Sequence, residues 1–236
     1  MRIAGDAVSV RIGCTLGLAL GLGAALSAAS ASAASPEPAV CQVIRSGEKT
    51  LALATNTVVG GRKIAVTIDV HSERDGARMV VTRRAGCGDL IYTYARELLE
   101  TKQDDGGQGV GSTTTYSALP PPGWLKPGSS FETEATTTFV AGREADRQTT
   151  TSRSHQRFQV TGMGAVSISG CSYPVLAIHI ASSPPQGEAG TASESDIKYS
   201  PELHATLMSS SRNIVDHKVI AVTSTTVSIA VVDPAP

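Results

Sequence analysis

The sequence predicts an all-β protein, an antiparallel meander forming a curved sheet, a half-barrel or a sandwich. Three observations predict it. Period-two alternation of β-branched and polar residues recurs along most of the chain beyond residue 60. Turn dipeptides and glycine-rich breaks separate the alternating runs at short intervals. No window carries a convincing amphipathic helix, so parallel strands would have no crossover connections and antiparallel pairing follows.

The first clear strand is Lys63 to Val70, where Ile64, Val66, Ile68 and Val70 share one face against charged or small residues on the other. Arg78 to Arg83 and Leu90 to Leu99 succeed it, separated by Asp75-Gly76 and Gly86-Cys87-Gly88, which supply glycine where a turn needs positive φ. Ala95 to Lys102 is the best helical window and fits a strand end equally well. Two flexible loops are expected, one near residues 103–112 around the Gly-rich stretch Gly106 to Gly111, the other near 119–129 around Pro120-Pro121-Pro122-Gly123-Trp124. Phe131 to Val140 alternates as a half-exposed strand, and Gln148 to Ile168 reads as two strands turning at Gly162-Met163-Gly164. Val175 to Ile180, Asp196 to Ser200, His204 to Ser210 and Val219 to Val232 complete about ten strands.

The chain has 236 residues, 41% hydrophobic and 17% charged, with a formal net charge of -1. That balance is too apolar for wholesale disorder, and it offers no excess of Lys and Arg to attract phosphate backbones, so no nucleic-acid partner is expected. Residues 1–33 read as a signal peptide: Arg2 and Arg11 precede an apolar run from about Ile12 to Ala28, which ends in Ala31-Ser32-Ala33. The run is shorter than the roughly 20 residues a membrane helix needs. The expectation is therefore a single β-rich domain over 34–236, periplasmic or secreted, with no transmembrane span after signal removal. In such a compartment cysteines pair. Cys41, Cys87 and Cys171 remain, allowing one internal bridge; Cys87 and Cys171 each follow a glycine at the expected start of a strand, which favours that pair over the two involving Cys41.

The chemistry-bearing residues form no recognisable catalytic set. Gly-x-Ser-x-Gly is absent, and Ser154-His155 adjacency is not catalytic geometry. The five histidines, His71, His155, His179, His204 and His217, never stand at metal-binding helical spacing, and no Cys-x-x-Cys is present, so neither a metal nor another cofactor is expected. The glycines of 106–111 lack the strand-to-helix context of a dinucleotide fingerprint. Glu132 and Glu134, two apart on one strand face, read as solvent-facing acids rather than a glycosidase pair, and one Trp, five Tyr and three Phe are few for sugar stacking.

Gly170-Cys171-Ser172-Tyr173-Pro174-Val175, followed by Tyr199-Ser200-Pro201-Glu202-Leu203, resembles the closing part of uncharacterised exported bacterial β-sheet domains, over the last third of the chain. The resemblance implies antiparallel β architecture and an envelope location, and carries over no catalytic residue. Pro174 and Pro201 fit strand starts or edge turns, where no ladder donor is required. Tyr173 and Tyr199 fit structural roles, an apolar body with a polar tip in a β core. The function expected is a non-enzymatic binding or accessory protein of the bacterial envelope, taking an apolar ligand or an envelope protein; the alternative is a secreted hydrolase with an unrecognised active site. A deep apolar concavity would favour the first, a cleft with converging His, acid and nucleophile the second.

Overall fold

The computed structural model describes residues 38–45, 50–72, 78–84, 88–105, 109–142, 147–187, 191–215 and 218–232. The signal-peptide segment, Cys87, His217 and the turns at Asp75-Gly76 and Gly86-Cys87 lie outside them. Glu37–Pro236 make one compact unit. A short helix, α1 (Ala39–Arg45), precedes twelve strands: β1 (Thr50–Val59), β2 (Arg62–Ser72), β3 (Arg78–Arg84), β4 (Gly88–Ala95), β5 (Leu99–Asp104), β6 (Gly111–Tyr116), β7 (Ser130–Ala141), β8 (Gln148–Ile168), β9 (Cys171–Ser183), β10 (Ala192–Ser200), β11 (Ala205–Val215) and β12 (Lys218–Val232).

Each strand pairs antiparallel with its neighbours in sequence, and β12 returns to pair with β1 from Thr50↔Val232 to Val59↔Val222. Of the three shapes open from sequence, a single curved sheet is the one observed, curled until its two ends meet as a barrel. The connections are short. Val59-Gly60-Gly61-Arg62 turns β1 into β2 with positive φ at both central residues, 54° and 82°, the twist that suits a two-residue hairpin and that glycine adopts without a Cβ clash.

Inside and outside follow from register and burial. Leu51, Leu53, Thr55 and Thr57 of β1 face inward beside Val70, Ile68, Val66 and Ile64 of β2. The four β2 residues share one face, as expected, but burial is graded: Val70 is 2% exposed and Ile64 46%. The strand rises from a packed floor toward an exposed rim. The opposite wall repeats the gradient, with Val160, Ile178 and Ile197 in one row and Phe158, Ile180, Ser195 and Ser211 in the row nearer the rim.

From β7 to β11 the outward face carries a charged row. Glu132, Arg157, Glu194 and Arg212 lie in one row across β7, β8, β10 and β11, with Ala181 of β9 between, and Arg157 Nε stands 3.3 Å from Glu132 Oε1. Among the described residues no helix is long and apolar enough to cross a membrane.

Two clusters fill the floor. One joins Cys41 and Ile44 of α1 to Leu51, Leu53, Val70, Tyr173, Leu207 and Ile229. The other gathers Leu98, Leu99, Trp124, Phe158, Leu176 and Tyr199. Trp124, carried by the proline-rich connection between β6 and β7, meets Phe158 edge-on at 6.1 Å and Phe131 at 6.0 Å. That connection is tied to β8 by hydrogen bonds from Gly128 N to Val160 O and from Val160 N to Ser129 O, at 3.0 and 2.8 Å.

Four features differ from the sequence expectation. Gln148–Ile168 is one strand, not two: Gly162 and Gly164 keep extended φ, and a register shift between Val160 and Gly162 replaces the turn. Leu90 to Leu99 is instead the end of β4, a tight turn at Arg96-Glu97-Leu98 and the start of β5. Arg96 and Glu97 adopt φ of 49° and 74° with no glycine to announce it. A short helix opens at Ala39, where no helix is expected from sequence, with Cys41 N bonding Pro38 O at 2.9 Å directly after proline. The disulfide joins Cys41 to Cys171, with Cα atoms 5.5 Å apart, rather than Cys87 to Cys171: α1 lies against the β8–β9 hairpin end, a proximity that only tertiary structure creates.

The bridge spans 130 residues, a loop whose closure is worth up to about 5 kcal/mol in the chain-entropy account. Cys41→Ser should therefore lower the unfolding free energy by about 2–5 kcal/mol, read as a reduced urea midpoint. An unaltered midpoint would show that α1 is not held by the bridge in solution.

Candidate functional site

Three polar constellations stand out, on the floor, on the outer wall and in the lumen. On the floor, the β4–β5 and β10–β11 turns meet. Tyr199 donates its hydroxyl to Glu97 Oε2, and His204 Nδ1 lies 3.0 Å from the same oxygen and 3.2 Å from Oε1. Glu97 and His204 both hold positive φ, at 74° and 48°, so two strained turns are locked by one carboxylate. Tyr199 is fully buried. Neighbouring Ser200 is also fully buried, and its Oγ has no hydrogen-bond partner among the described residues. A hydroxyl sealed in this way cannot meet a substrate, so the acid and imidazole act as a clamp between turns.

On the outer wall a groove of about 500 Å³ crosses β7 to β12. Its charges are largely matched: His155 Nδ1 lies 2.8 Å from Glu134 Oε1 and its Nε2 3.6 Å from Glu132, which also holds Arg157. Nearby, His179 Nδ1 lies 2.9 Å from Asp196 Oδ1. These exposed pairs are worth little individually. Glu132 and Glu134 thus sit on a solvated face, on the same side of β7.

In the lumen a cavity of about 170 Å³ lies above the floor. Leu53, Ile68, Val70 and Leu207 give it apolar walls; Thr55, Ser209, Ser224, Tyr92 and Tyr94 line it with hydroxyls. The hydroxyls partly satisfy each other, as with Thr55 and Thr226 at 3.5 Å and Thr57 and Ser224 at 3.1 Å. Glu100 stands opposite Tyr94 in register, next to this wall. Tyr116 donates its hydroxyl to the Glu100 carbonyl at 2.7 Å. Burial pushes the Glu100 carboxyl up to about 7, and no ion pair to it is present among the described residues. Burial, then the nearby Glu100 and Tyr94, raise the Tyr116 phenol well above its ordinary value.

Of the residues singled out from sequence, Cys41 and Cys171 form the bridge, Tyr173 and Tyr199 are buried in the two floor clusters, and His204 joins the clamp. His155 and His179 pair with carboxylates on the outside; the side chain of His71 lies outside the described residues. Among the described residues no group of three or more His, Cys, Asp or Glu could hold a metal ion. Glu100 and its tyrosines were not singled out from sequence. Tyr92-Thr93-Tyr94 carries a period-two aromatic signal, but the bulge between Thr93 and Tyr94 that brings Glu100 opposite Tyr94 has no such mark.

No family model and no curated protein matches the sequence. Among solved structures, the hypothetical lipoprotein YmcC from Escherichia coli is similar at 14% identity and a TM-score of 0.44, over 84% of this chain and 90% of that one.

The raised Glu100 has a measurable consequence. Between its ordinary 4.5 and about 7 the folded protein keeps a proton that the unfolded chain releases, so stability falls as pH rises through that window, by about 2–3 kcal/mol. Glu100→Gln should remove this slope, matching the parent near pH 4 and exceeding its stability by about 2 kcal/mol at pH 8 in urea titrations. Parallel pH profiles for the two proteins would place the carboxyl in water.

Proposed function

We propose that the chain is an exported envelope protein that binds the apolar part of an amphipathic molecule inside its barrel and does not transform it. The observation that carries this reading is the lumenal cavity, with apolar walls and several lining hydroxyls. At about 170 Å³ it has room for a ring or a short alkyl segment, comparable to cavities that take benzene, so the remainder of a larger ligand would extend toward the mouth. A pocket with apolar walls and a few converging polar groups is the usual form of a small-molecule site.

Export is supported by the composition of residues 1–33 and by the disulfide, which persists in oxidising compartments. A sealed Ser200 and a carboxylate shared between Tyr199 and His204 give the hydrolase alternative no support.

The purified protein should bind N-phenyl-1-naphthylamine saturably, with enhanced fluorescence, and Ser224→Phe, which places a ring in the cavity, should weaken binding at least about tenfold, a loss of about 1.4 kcal/mol. Equal binding by the two proteins would locate the probe elsewhere and remove the lumenal reading. The N-terminus of the exported protein, read by mass spectrometry, should be Ala34; recovery of the uncleaved chain from the cytoplasm would overturn the export reading.

A further inference from the structure

We propose that Tyr92, Tyr94, Tyr116 and Glu100 form the polar end of the lumenal site and receive a cationic ammonium head group. This rests on the lumenal reading and names its ligand class.

Two of the chain's five tyrosines, Tyr94 and Tyr116, stand beside Glu100, and Tyr92 neighbours Tyr94. Tyr92 and Tyr94 both line the cavity, with ring centroids 6.4 Å apart and planes inclined at 31°. Glu100 faces Tyr94 across the β4–β5 ladder. Tyr116, on the other side of β5, is held by its hydroxyl on the Glu100 carbonyl. A cation over a tyrosine face is attracted by the ring quadrupole, and desolvation strengthens that attraction. The carboxylate adds a full charge, felt more strongly inside the barrel than in water. An anionic head would meet that charge repulsively. A neutral hydroxyl would gain hydrogen bonds alone.

Other charges near the cluster are accounted for element by element. On β5 itself, Lys102 Nζ lies 3.6 Å from Asp104, both well exposed. Glu97, in the β4–β5 turn, holds Tyr199 and His204. Among the described residues of β4 and β6 the facing titratable groups are the tyrosines themselves, and on β3 Arg78 stands opposite Tyr94 in register. Because burial holds the Glu100 carboxyl at about 7, its charge is present at pH 8 and absent near pH 5.5. Preference for a cation therefore grows with pH.

Calorimetric titration of the full mature protein with hexyltrimethylammonium, hexanol and hexanoate at pH 5.5 and pH 8 tests this. At pH 8 the ammonium should bind about tenfold tighter than hexanol, with hexanoate weakest, and the preference should shrink to about threefold or less at pH 5.5. Glu100→Gln should reduce the preference at pH 8 to about threefold or less while leaving hexanol binding within about twofold. Tyr94→Phe, which keeps the ring face, should retain the preference, whereas Tyr94→Leu should reduce it. Hexanol or hexanoate binding as tightly as the ammonium at pH 8 would overturn the proposal, as would a preference left undiminished by Glu100→Gln. Should hexanol bind and Ser224→Phe block it without any ammonium advantage, the head-group assignment alone fails; binding of none of the three defeats the lumenal reading as well.

Discussion

Among the described residues twelve strands are accompanied by one seven-residue helix, and the pairing of β12 with β1 is how the sheet hides its apolar face. Closure does two things at once. It gives the outermost ladders partners, removing the exposed edges that invite aggregation. It also turns Leu51, Leu53, Val70, Ile178 and Leu207 toward a common interior, so that one face of each strand meets the core and the other faces outward. Everything further, including the graded burial from floor to rim, depends on those two ends meeting.

A closed sheet of this many strands has a wide interior that side chains alone do not fill at every level. Here the floor is filled by additions to the barrel. α1 brings Cys41 and Ile44 into the cluster beneath β1 and β12, and the disulfide to Cys171 fixes it to the β8–β9 hairpin. The β6–β7 connection brings Trp124 against Phe131 and Phe158. Glu97, Tyr199 and His204 then hold two strained turns together. Higher up no such additions are seen among the described residues, and serine, threonine and tyrosine replace leucine and isoleucine along the same inward rows.

The strands were legible where the two faces differ strongly in polarity. β2 announces itself because Ile64, Val66, Ile68 and Val70 alternate with Lys63, Ala65, Thr67 and Asp69. β1 carries the same period, but its inward face passes from Leu51 and Leu53 to Thr55 and Thr57, and alternation of threonine with alanine and asparagine is a weak signal. The turn at Arg96-Glu97 was hidden because positive φ there is imposed by the clamp rather than permitted by glycine. The candidate site was the least legible part. Its members are pairwise unremarkable in sequence, and Glu100 reaches Tyr94 only through a bulge, while Tyr116 arrives from the next strand. Closure itself leaves no local mark either, since Thr50 and Val232 are separated by most of the chain.

Floor and lumen differ in how their acids are treated, and that difference separates scaffold from site. Glu97 is met by a phenol and an imidazole, so its burial is compensated and its removal would loosen two turns. Glu100 is buried enough to hold its proton to about 7 and is compensated by no ion pair among the described residues, so above that pH it costs stability. A fold that needed only rigidity would be better served by glutamine or leucine at this position. An acid that weakens the folded state, set among tyrosines at the wall of a cavity, becomes favourable once a cation supplies the missing partner, because ligand binding then recovers the desolvation that folding incurred.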